Sequence, residues 1–146
     1  MSHEDEGHYR AKHPEGENAH PKAAELIKKH AKEGKINCVR AHAISDELDI
    51  SPGEVGKTID LLEIRISRCQ LGLFGYGKEK GSIVTPTESV SDEVKAKIMN
   101  ALKNKKVSCL SLWNIAAETG MSKLEVSAAC EALGQKICCC QLGAFG

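Results

Sequence analysis

Several things are missing from this chain, and each absence removes a class of function. No apolar run approaches the ~20 residues that a membrane-spanning helix needs, and the opening MSHEDEGHYR has no apolar stretch to act as a secretory signal. A cytoplasmic protein with no membrane partner is expected. Net charge is also missing, with 20 basic residues against 20 acidic ones, well short of a strong nucleic-acid footprint. Catalytic signatures are absent too. There is no paired Ser and His, no His-Glu-x-x-His, and no carboxylate pair placed for an evident pocket. The glycine-rich GLFGYGKEKG lacks the Gly-Lys-Ser/Thr ending of a phosphate loop. The chain is not expected to be an enzyme.

Cysteine is plentiful, at seven, but no CxxC pair exists. In a cytoplasmic chain an odd number of cysteines argues for reduced thiols or metal rather than disulfides. The run CCC at 138–140 makes a poor chelate as a strand, because neighbouring strand residues point to opposite faces.

What is present is a repetition. CQLGLFG at 69–75 returns as CQLGAFG at 140–146, an offset of 71 residues. At that offset Cys38 to Gly75 lies over Cys109 to Gly146 without a gap, with identities at Ile44/Ile115, Glu47/Glu118, Ser51/Ser122, Glu54/Glu125, Val55/Val126, Leu62/Leu133 and Ile66/Ile137. So long a period exceeds one solenoid repeat, and each copy is read as a small domain. Two domains of about 55 residues sit near the lower limit for independent cores. Packing the copies together, or a homodimer, would enlarge them. Helix-forming residues dominate, so a mainly α chain with short strands is expected.

Charge is spread unevenly. Five acids against Arg10 and Lys12 leave residues 1–21 at −3, while 22–75 carry +1, 76–92 carry −1 and 93–146 carry +3. Residues 1–21, with His3, His8, His13 and His20 among acids and glycines, read as a disordered tail with too little apolar surface to order itself. Weak metal capture is its alternative role.

Each copy then follows one order. Pro21 starts a helix that Gly34 can close, and Ser91 caps its counterpart. INCV (36–39) and VSCL (107–110) are short and β-leaning. A second helix carries Ala41, Ile44 and Leu48. After a turn at Asp49 and Ile50, Ser51 caps a third helix with Pro52 first and Glu54 placed for a capping box. Its inward stripe is Val55, Ile59 and Leu62, matched by Val126, Cys130 and Leu133. Two short helices across a tight turn form the helix-turn-helix pattern, and a strand follows in IRISRCQLG and KICCCQLG.

This order resembles the winged helix-turn-helix fold, twice, and the resemblance makes the expected fold mainly α with short antiparallel β. The boundaries it implies are a tail at 1–21, a first module at 22–84, a linker at 85–92 and a second module with a truncated wing at 93–146. In such a fold the early strand pairs with the strand after helix three, which would bring Cys38 near Cys69 and Cys109 near Cys140. The resemblance implies a DNA-binding regulator of transcription, with helix three in the major groove. Its contacts would be Ser51, Lys57, Thr58, Arg65 and Arg68, with Lys78 and Lys80 on the wing, and Ser122, Lys123, Ser127 and Lys136 in copy two. Glu54, Asp60, Glu125 and Glu131 share these helices and oppose phosphate. The alternative is a non-catalytic accessory subunit that docks on a protein partner, such as a redox or metal enzyme. No cofactor is expected; a thiolate-bound metal or redox sensor at Cys38, Cys69, Cys109, Cys138 and Cys140 is the competing reading.

Overall fold

The computed structural model describes residues 9–14, 16–76 and 82–145. Six α-helices and four short strands are found among them, with one turn of 3-10 helix at Tyr9–Lys12. The first copy contains α1 (Pro21–His30), β1 (Lys35–Asn37), α2 (Cys38–Leu48), α3 (Pro52–Leu61) and β2 (Arg65–Ser67). The second contains α4 (Asp92–Ala101), β3 (Lys106–Ser108), α5 (Cys109–Thr119), α6 (Lys123–Ala132) and β4 (Lys136–Cys138). Every bound in the second copy is the first copy's bound plus 71, so the repetition in sequence is a repetition of structure.

Local chemistry fixes where the helices begin. Ser51 accepts a hydrogen bond from the Glu54 amide at 3.1 Å, and Ser91 accepts one from Val94 at 3.3 Å. Asn37 and Ser108 cap α2 and α5 by accepting from Arg40 at 2.7 Å and Ser111 at 3.1 Å. Each bond satisfies an amide that has no partner inside its helix. Only α6 has the complete capping box, in which Glu125 accepts from the Ser122 amide at 3.0 Å. In α3 the Glu54 carboxylate lies 3.5 Å from Lys57 instead.

The strands pair as the early strand with the strand after the third helix, but in parallel. This corrects the antiparallel expectation. Lys35, Ile36 and Asn37 face Arg65, Ile66 and Ser67, and Lys106, Val107 and Ser108 face Lys136, Ile137 and Cys138. Two helices intervene between the partners, giving the long crossover that parallel strands require. Among the described residues no strand lies between β2 and α4 and none follows β4, and Lys78 and Lys80 of the expected wing lie outside those residues.

The chain divides into two compact units that are not the two copies. Unit one is Met1–Cys69 with Gln141–Phe145; unit two takes Gln70–Cys140. The division falls within the repeated phrase both times, after Cys69 and after Cys140. Residues 85–92, expected as a linker, belong to unit two, where the Thr87 amide donates to Ala128 of α6 at 3.3 Å.

Unit one has α3 at its centre, packed on α1, α2 and the 3-10 turn. Ala23, Ile27, Ile36, Ala41, Ile44, Val55, Ile59 and Ile66 are buried, as is Leu142 of the phrase. Unit two buries Val94, Ile98, Val107, Leu112, Ile115, Val126, Ala129 and Cys130, with Leu71. The expected stripes hold at Val55, Ile59, Val126 and Cys130 but not at Leu62 and Leu133, which are half-buried because they end their helices.

The phrase has a defined seat in unit one. A methyl group added to Gly56 of α3 would overlap the Leu142 carbonyl, so the helix can receive this backbone only without a side chain there. Gly53, in the same helix, has ample room. Gly56→Ala should therefore lower stability by about 1–3 kcal/mol in urea unfolding, whereas Gly53→Ala should be neutral or stabilising by up to about 1 kcal/mol. Equal effects of the two would remove the seat.

Candidate anion-binding cleft

The third helix of unit one does not present the surface expected of it. Thr58 is fully buried, donating to the Glu54 carbonyl at 3.0 Å and accepting from the His20 amide at 3.2 Å. Lys57 lies 3.2 Å from Glu17 and 3.5 Å from Glu54, and the hydrogen bond to Glu17 leads in raising its pKa. Asp60 is buried, with its carboxylate 3.2 Å from Lys12 and 2.8 Å from His13. Beyond the helix, Glu63 accepts from the amides of Tyr9 at 3.1 Å and Arg10 at 2.7 Å.

The described residues of the amino-terminal segment thus make polar contacts with α3 and with Glu63 beyond it. Tyr9 is buried, and His20 caps α1 by accepting from Ala23 at 3.2 Å. Charges of the segment meet opposite charges fixed on the fold, Lys12 and His13 at Asp60 and Glu17 at Lys57.

In unit two, Ser122 is occupied in the capping box, and the Lys123 ammonium stands 4.5 Å over the Trp113 ring. Ser127 is fully buried, while Lys136 is exposed on β4. Arg65 is half-buried on β2. Of the nominated contacts among the described residues, Arg68 alone lies in a cationic cleft.

That cleft, about 410 Å³, belongs to unit one and is lined by Lys29, His30, Lys32, Lys35, Arg40, Arg68, Ser67, Asn37 and Ile36. Four pieces of chain supply it. Lys29 and His30 come from the last turn of α1. Lys32 and Lys35 close a tight turn by reciprocal backbone bonds of 2.8 and 3.0 Å, with Glu33 and Gly34 both at positive φ. Arg40 stands in the first turn of α2, and Ser67 ends β2 with Arg68 just after it. Among the described residues, none of the five Lys and Arg side chains has a carboxylate partner.

Ordinary helix physics accounts for part of this. Basic residues suit the end of α1, where the dipole is negative. It does not account for the arginines. A cation in the first turn of α2 opposes the helix dipole by roughly 0.3–1 kcal/mol, and Arg68 holds φ 50°, a left-handed conformation that costs a non-glycine residue about 1 kcal/mol. Both arginines stand where local stability would favour another residue, and both face the same cleft.

The second copy has not kept this arrangement. Asn100, Ala101, Ser111, Cys138 and Cys139 stand where the first has Lys29, His30, Arg40, Ser67 and Arg68; Lys103 and Lys106 are retained. The sequence reading missed Lys29, Lys32, Lys35 and Arg40 because they are scattered over the chain. The signal available was this difference between the copies.

The other cysteines divide by burial. Cys38, Cys69, Cys109 and Cys130 are buried, Cys138 and Cys140 half-buried, and Cys139 exposed. Burial pushes the Cys130 thiol up to about 11. Among the described residues no group of three or more His, Cys, Asp or Glu is placed to hold a metal ion. No helix there is long and apolar enough to cross a membrane. The chain matches no known family model, no curated protein and no solved structure.

The cover on α3 is testable. Removing both Lys12 and His13 as alanines leaves the buried Asp60 charge unanswered, and should cost about 2–4 kcal/mol in urea unfolding. Lys57→Ala, breaking a partly exposed pair, should cost less than about 1 kcal/mol. A double variant as stable as the parent would detach the segment from α3.

Proposed function

We propose that the protein binds DNA through the cationic cleft of its first unit, as a regulator built on two helix-turn-helix modules of the winged-helix kind. The observation that carries this is the convergence of Arg40 and Arg68 with Lys29, Lys32 and Lys35 on one cleft that, among the described residues, is lined by no carboxylate. Phosphate is the anion such a surface suits, because guanidinium forks pair its oxygens two at a time. The amides opening α2 add positive potential beside it.

Contact with DNA then begins at the backbone, at the edge formed by α1, β1 and α2. The third helix of unit one has Thr58 buried and Lys57 paired, so it supports little base reading. Backbone contacts position a protein on the duplex without reading sequence. The helix-turn-helix part rests on the α2–α3 and α5–α6 pairs, each turned by a left-handed residue, Asp49 or Gly120, before a serine cap. No catalytic role is assigned.

The test is binding of the full chain to a short mixed-sequence duplex, measured by fluorescence anisotropy across salt concentrations. Wild type should bind at low salt with a log–log slope of about −3 to −5, and Arg40→Glu with Arg68→Glu should flatten it by about two. Lys57→Glu should leave the slope unchanged. Absence of wild-type binding at low salt would favour the accessory-subunit reading, and a Lys57 variant as weak as the arginine pair would restore α3 as the interface.

A further inference from the structure

Where the first copy has Ser67 at the end of β2 and Arg68 just after it, the second has two thiols at the end of β4 and just after it. Cys139 has φ 60°, matching the left-handed Arg68 at φ 50°, so this backbone bend belongs to the repeated unit. It also overturns the expectation that consecutive cysteines here point apart. The strand stops at Cys138, and the bend turns the next side chain back toward it. The two sulfurs lie 2.7 Å apart.

From this geometry we infer that Cys138 and Cys139 form a redox site, a vicinal dithiol that closes reversibly to a disulfide. Two chemistries are open to such a pair of thiols. A tetrahedral metal held at about 2.3 Å from each sulfur would separate them by roughly 3.8 Å. A disulfide bond is about 2.0 Å long. The observed separation is nearer the bond. Cα atoms of adjacent residues are about 3.8 Å apart, below the usual range for disulfides, so the bridge is strained and readily reduced again.

Access agrees with this assignment. Cys139 is exposed and Cys138 half-buried, while Cys38, Cys69, Cys109 and Cys130 are buried. Attack on an oxidant starts from Cys139 because it is the exposed member of the pair.

The oxidant is a small-molecule disulfide. The Cys139 thiolate attacks one of its sulfurs, forming a mixed disulfide and releasing one thiolate. The Cys138 sulfur, having given its proton to solvent, then attacks Cys139 Sγ and expels the second thiolate. Two protein thiols are oxidised, one small disulfide is reduced to two thiols, and the protons released are taken up by the leaving groups.

The test uses the reduced full chain and oxidised glutathione. After acid quench, alkylation in denaturant and tryptic digestion, the peptide of residues 137–146 should have lost two hydrogens and carry one alkyl group, on Cys140. Dithiothreitol should reverse this. Cys140→Ser should still close the bridge, whereas Cys138→Ser should stop at a glutathione adduct on Cys139. An alkyl group on Cys138 or Cys139 in the oxidised peptide, a bridge between two chains, or a persistent wild-type adduct would each overturn the assignment.

Discussion

Asp60 lies on the central helix of unit one with its side chain 3% exposed, and a charge so placed must be answered from within the protein. Lys12 and His13 answer it. The segment that brings them also places Glu17 on Lys57 and the His20 amide on Thr58, and its Tyr9 is buried. One buried carboxylate thereby decides which surface of α3 is open. It also separates the copies, since the position matching Asp60 in α6 is Glu131, which is exposed.

The two copies keep the same elements and differ where those elements end. Caps, strand register and the left-handed bend after the last strand recur, because they are requirements of the backbone. The side chains at the α1–β1–α2 edge are free of those requirements and have diverged. One copy collects fixed positive charge there. The other retains two lysines and adds a pair of thiols beside them. The same place in the fold thus carries a cluster of cations in one unit and two adjacent thiols in the other.

Much of the fold was legible in short stretches. Pro21, Ser51, Pro52, Ser91 and Ser122 announce helix starts because capping acts over three or four residues. Strand direction was not legible, since it depends on how two helices return the chain. Nor was the order of residues 9–20, whose partners Thr58, Asp60 and Glu63 lie some 40–50 residues further along. The site was the least visible of all. Its cations come from α1, a turn, α2 and the end of β2, and only Arg68 fell on a segment that the helix-turn-helix pattern marks for attention. The repeated phrase was visible at once, but its allotment of Leu142 to unit one is a property of packing against Gly56.

The central claim is that phosphate meets unit one at the cleft and not at α3. Amide chemical-shift mapping of the full chain, titrated with a short DNA duplex at low salt, tests it most directly. The account predicts that the shifts gather on residues 29–40 and on Ser67 and Arg68, with the amides of Gly53 to Leu61 left in place. Shifts concentrated on α3, with the cleft unmoved, would contradict it.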